Sequence, residues 1–169
     1  MKLPTFIENI KIVPGLNAQA GNGAGAADRV CLKDYEGCAI LVIQYQGAGD
    51  SENITFHKAT AASGGIEDTT NAIPNWWKLE DVTIGTTADT WTKGTAVAAG
   101  ANLATSATAS GISYYLIDIK AEELPDSTAD YDFVEFNTVG AGSGSNTIDA
   151  IYLLYNPRYA QASLPSAQA

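Results

Sequence analysis

Apolar and polar positions along this chain alternate or cluster in short runs and almost never recur at helical spacing. ENITFHKAT sets Ile54 and Phe56 on one side of an extended chain and Thr55 and His57 on the other. That period of two is the pattern of a half-buried strand. CAILVIQYQ, residues 38–46, is apolar at both parities until Gln44, which predicts a central strand covered on both faces. Further strands are predicted at residues 6–13, 30–32, 76–82, 90–97 and 112–120, within YDFVEFNTV, and at 147–155. The one helical signal is a single turn over residues 121–124, closed by Pro125.

Eight or nine short strands separated by turn clusters predict an all-β fold: an antiparallel β-sandwich, jelly-roll-like, with extended terminal arms. The breaks NAQAGNGAGAAD, QGAGDS, ASGG, AAGAN and VGAGSGSN are glycine-rich but too short to separate two cores. The expected organisation is an N-terminal segment or first strand at residues 1–14, a sandwich at 15–159 and a flexible tail at 160–169. Residues 17–28 read as an extended loop or arm, being too small in side-chain bulk to bury much. No fixed-period repeat is present, so solenoids and propellers drop out.

Charge narrows the partners. Nineteen acidic against nine basic residues give a net charge of −10, and Arg29 and Arg158 are the only arginines. A surface of that sign repels phosphate backbones and anionic lipid, so neither nucleic acid nor membrane is expected as a partner. Glu8, Asn9 and Lys11 interrupt the apolar character of MKLPTFIENIKIV, which therefore does not read as a secretory signal. No run approaches the length of a membrane span. Synthesis in the cytosol in soluble form is the simplest expectation, and the opening Met1 argues against a removed leader. Cys31 and Cys38 flank LKDYEG; a cross-hairpin disulfide is geometrically feasible, with free thiols the favoured reading for a cytosolic product.

Catalytic chemistry is poorly supplied, and no enzyme is expected. His57 is the sole histidine, so any Ser-His-Asp or Cys-His arrangement must use it. On a polar strand face such a residue is far more often structural or solvated. With Cys31 and Cys38 it lacks a fourth zinc ligand, and the spacing matches no finger or ribbon. Glu122, Glu123, Asp126, Asp130 and Asp132 crowd EELPDSTADYD, but without the calcium-loop spacing or its closing glutamate they read as a solvated acidic loop. Nothing singles out an opposed pair of carboxylates for glycoside hydrolysis. Gly21, Gly23 and Gly25 precede no Gly-Lys-Ser/Thr, so this loop is no phosphate cradle. No cofactor or metal is expected.

The tryptophans are more informative. Trp76 and Trp77 are adjacent, so on a strand at most one of them faces the core. The other must lie under a loop, in a partner interface or in an open groove, and Trp91 in ADTWTKG joins them as a candidate. Interface burial is the commoner use of such residues. Aromatic platforms on β-sandwiches also bind sugars, so a carbohydrate-binding module for host-surface attachment is the alternative reading. In AIYLLYNPRY, Ile151, Leu153 and Tyr155 alternate with Tyr152 and Leu154. This strand, apolar on both faces, is expected to pack centrally or at a subunit interface. Pro157 ends it, and Arg158 and Tyr159 are candidates to anchor the exit by ion pair or stacking. The tail beyond and the segment before Gly15 are natural arms for reaching a neighbouring molecule, with simple fraying the plainer alternative.

Four stretches together, VPGLNAQAG, DRVCLKDYEGCAILVIQYQGAGDSENITFHKAT, YYLIDIKAEELP and AIYLLYNPRY, resemble small virion proteins of tailed bacteriophages, of the capsid decoration or cement type. The similarity covers most of the chain, through short motifs of common residues. It implies a homo-oligomer, with a trimer favoured, that binds the major capsid protein on the capsid exterior and braces the shell. It transfers no catalytic residue. Trp76, Trp77, Trp91, Arg158 and Tyr159 are the expected interface residues, chosen by type and position.

Overall fold

The computed structural model describes residues 9–20, 24–46, 51–82, 90–106, 111–139 and 146–158. Among them lie twelve strands. Seven are long: β1 (Ile10–Ala20), β4 (Tyr35–Gln46), β5 (Asn53–Ala59), β7 (Trp76–Val82), β10 (Gly111–Lys120), β11 (Phe133–Val139) and β12 (Thr147–Pro157). Five are short: β2 (Ala24–Ala26), β3 (Val30–Cys31), β6 (Glu67–Asp68), β8 (Thr92–Lys93) and β9 (Leu103–Ala104). The turn expected before Pro125 is a 3-10 turn at Ala121–Glu123.

Two antiparallel sheets stack in a sandwich-like arrangement. The first has the order β1-β12-β4-β10-β7-β8; the second runs β2-β11-β5-β6, with β3 also on β11 and β9 also on β5. Among the described strands only β2 to β3, β5 to β6 and β7 to β8 stay within one sheet; every other connection crosses to the opposite sheet. Long strands therefore pair with partners distant in sequence.

Register fixes which parity faces inward. Across the first sheet Val13, Tyr152, Ile40, Ile117 and Trp76 stand in one row, all buried. They meet Ile54, Phe56, Val134 and Phe136 of the second sheet. Removing these side chains from water is the main stabilising contribution, about 1.5–3 kcal/mol for each large apolar one. Tyr152 also ties the two layers by a polar bond. β11 pairs with β2 up to Asn137 and with β3 from Val134, and between those stretches the Phe136 N–H donates to the Tyr152 hydroxyl at 2.7 Å. A buried donor at a break in the ladder is thus satisfied from the opposite sheet.

Several expectations change. Residues 17–28 are not a loop throughout: Asn17–Ala20 completes β1, and Ala24–Ala26 pairs with Asn137–Val139. Alanine and glycine carry almost no strand signal, and the partner strand supplies it. The first strand runs past residue 14, so Ile10–Pro14 is a paired sheet edge rather than a free arm. In residues 90–97 only Thr92–Lys93 is strand, with Val97 in an isolated bridge to Ile73. β12 extends to Pro157, through Asn156 at φ 48°. Cys31 and Cys38 are free thiols, Cys38 in the core of the first sheet. Tyr159, residues 1–8 and the tail at 160–169 lie outside the described residues.

Candidate interaction surface

β4, β10 and β12 are apolar at both parities, and the sandwich covers only one of them. The expectation that residues 38–46 are covered on both faces fails for this reason: Ile40 and Val42 are buried, whereas Ala39, Leu41 and Ile43 are partly exposed. The outward parity forms a continuous apolar face. Pro14, Ile151, Leu41, Leu116 and Trp77 stand side by side across β1, β12, β4, β10 and β7. Flanking rows add Ile12, Leu153 and Ala39 on one side and Ile43, Tyr114 and Leu79 on the other. Ile12 is 56 % exposed and Tyr45 45 %.

Charged groups share this face: Asp118 stands beside Ala39 and Asp149 beside Ile43 in the flanking rows, while Lys120 pairs with Gly37 and Lys93 with Trp77. Asp118 accepts a hydrogen bond from the Tyr155 hydroxyl at 2.7 Å, and the Lys120 ammonium lies 4.8 Å from the centre of the same ring. The Tyr155 hydroxyl also rests over Gly37, where any side chain would collide with it. Lys93 lies 5.6 Å over the Trp77 ring. With Asp149, the described side chains of this face include two acids and two bases.

The candidate residues separate accordingly. Trp76 faces the core. Its indole N–H donates to the Thr95 carbonyl at 2.7 Å, and Gly94 packs flat on its ring, where a Cβ would overlap the indole. Trp77 faces outward. Trp91, 41 % exposed, lies two residues before Lys93 and so near the same corner. Arg158 does not join them: its Nε donates to the Tyr35 carbonyl at 3.0 Å and its backbone N–H to Asp34 at 2.8 Å, locking the exit of β12 to the turn before β4. The exit of β12 is thus held at Arg158 by hydrogen bonds to backbone carbonyls, where an ion pair or stacking was expected. Leu41, Ile43, Tyr114 and Leu116 are not among the expected interface residues, while Ile151 and Leu153 belong to the strand expected either centrally or at a subunit interface. Their signal was the two-sided apolar pattern itself.

The outer face of the second sheet is polar. Arg29 reaches Glu135 through Nε and Glu67 through Nη2 at 2.8 Å, and donates to the Gly64 carbonyl at 2.9 Å. His57 Nδ1 lies 2.7 Å from Glu67 Oε1. Ligand atoms of His57, Glu67 and Glu135 converge within 4.8 Å of one another, but the cation between the two carboxylates is Arg29. Hydrogen bonding to Glu135 raises the Arg29 pKa further above its already high value.

The acidic loop does not converge either. Asp126 accepts from Lys58 Nζ at 2.9 Å and from the Thr128 and Ala129 N–H groups. Together these hold its pKa down at about 2. Glu122, Glu123 and Asp130 are exposed. Among the described residues no helix is long and apolar enough to cross a membrane. Comparison with protein families, with curated proteins and with solved structures finds no match.

Proposed function

We propose that this chain is a structural virion protein that binds an assembled phage capsid shell, braces it through subunit contacts and carries out no catalysis. The observation that supports this reading is the apolar outer face of the first sheet, five strands wide. A patch of that extent on an acidic chain suits a protein partner better than a small molecule. On this reading the partners are the major capsid protein and further copies of the chain. The location is the capsid exterior after synthesis in the host cytoplasm. The nested pairings β4–β12, β5–β11 and β7–β10 support a jelly-roll-like wrap.

Counting copies of this chain per major capsid protein in purified particles tests the proposal. Hundreds per particle fit a shell-covering role, and a dozen or fewer fit a vertex or tail position. Absence from particles overturns it. The carbohydrate-binding alternative draws support from Trp91 and Trp77 near one corner of the first sheet. Glycan binding that is lost in Trp91→Ala and Trp77→Ala would favour it.

A further inference from the structure

We propose that the outer face of the first sheet receives the same face of a second copy of this chain, making a two-fold symmetric dimer. The inference rests on reading that face as a docking surface, and goes further by naming its occupant.

Shape limits the choice. From β1 to β7 the face crosses four strand spacings, about 19 Å, and from Gly37 to Tyr45 it runs eight residues, about 27 Å. Its flat projection is therefore about 500 Å², and the accessible surface of a ridged face exceeds its projection. A standard interface buries about 800 Å² per partner, so this one face comes close to supplying a stable association. A single helix, about 10 Å across, would leave more than half of the strands uncovered. Another sheet face fits the width, and twisted sheets pack face to face at about 30°.

The edge of the sheet argues the same way. Among the described strands β1 pairs on one side only in its sheet, but Pro14 lacks an N–H to donate and two register shifts interrupt the strand. Those features disfavour addition of a partner strand at the edge, leaving the face as the place to dock.

Charge then favours a copy of the chain itself. Each molecule carries −10, so two copies repel through most of their surfaces. On this face Asp118 and Asp149 are offset by Lys93 and Lys120, and the central row from Pro14 through Leu41 to Trp77 is uncharged up to Lys93 at its end. Approach through it brings together described charges that cancel, two acids against two bases on each copy. Because the attraction is apolar and the residual electrostatics repulsive, added salt should tighten the dimer rather than loosen it. Pairing through one self-complementary face makes twos, in contrast to the threes that the resemblance implies.

Sedimentation velocity of the full chain across the micromolar range is the test. The expected species has twice the 17.7 kDa chain mass and becomes more populated as sodium chloride is raised. Leu116→Glu, at the centre of the face, should weaken self-association at least about tenfold. Ile12→Lys, at the exposed margin, does the same more mildly without touching the core; near-ultraviolet circular dichroism confirms that each variant is folded. A dimer that persists in both folded variants, or a trimer insensitive to them, overturns the proposal. Particle binding separates the two readings. A monomer whose binding to particles is lost in Leu116→Glu overturns the dimer but keeps the face as a docking surface. A monomer whose particle binding ignores both variants overturns both.

Discussion

The two outer faces of this molecule solve the problem of an exposed sheet in opposite ways. On the second sheet, the outer side carries Arg29, His57, Glu67 and Glu135, which pair with one another. On the first, outward positions carry Leu41, Leu116, Ile151 and Trp77, which stand in one row and are each partly exposed. A solvated sheet normally alternates apolar inside with polar outside. The second sheet keeps that rule and the first breaks it. A rule kept on one face and broken on the other within one chain points to a partner for the face that breaks it.

The adjacent tryptophans give the largest expected effect. Trp76→Ala removes a buried ring and its bond to Thr95, and should cost about 3–5 kcal/mol in urea unfolding. Trp77→Ala, one residue away, should cost about 1 kcal/mol or less in the monomer and act mainly on association. Equal losses for the two would erase the distinction between covered and uncovered faces. On the polar face, Arg29→Met leaves Glu67 and Glu135 facing one another without their shared cation. Chemical denaturation should register a loss of about 1–3 kcal/mol, with no change in sedimentation.

Tyr152→Phe tests the link between the layers. It strands the Phe136 N–H at the break between β2 and β3, at about 1–2 kcal/mol, and amide exchange at Phe136 should quicken. The smallest effect is acid-dependent. Asp126 has a folded-state pKa of about 2 against an ordinary 3.8, chiefly through its hydrogen bond from Lys58. A depressed carboxylate contributes stability that is complete above the ordinary value and is lost as pH falls toward the folded one. The melting temperature should therefore drop between about pH 4 and pH 2, and drop less in Lys58→Met. An identical acid profile for the variant would detach Asp126 from Lys58.

Much of the strand layout was legible, and the misses share a cause. ENITFHKAT and ISYYLIDIK announce β5 and β10 through side-chain pattern alone. β2 is written in alanine and glycine and becomes a strand only because β11 lies beside it. β6 and β9, two residues each, exist for the same reason. Of the candidate site, Trp77 was in view as one of two equivalents. The flanking aliphatic face is present as a pattern, which reads as core for residues 38–46 and as core or subunit interface for 150–155, because a one-dimensional pattern does not count the layers around a strand.

The order of residues alone determined an all-β chain, strands apolar at both parities, a net charge of −10 and a single histidine. Those follow from side-chain chemistry at single positions and from a period of two. Only the tertiary structure decided which parity meets the second sheet, because shifting register by one residue exchanges every inward side chain for an outward one. It decided between Trp76 and Trp77 through Gly94 and Thr95, which leave room and an acceptor for one indole. It also brought Arg29 to Glu67 and Glu135, 38 and 106 residues away, where no local rule of spacing reaches.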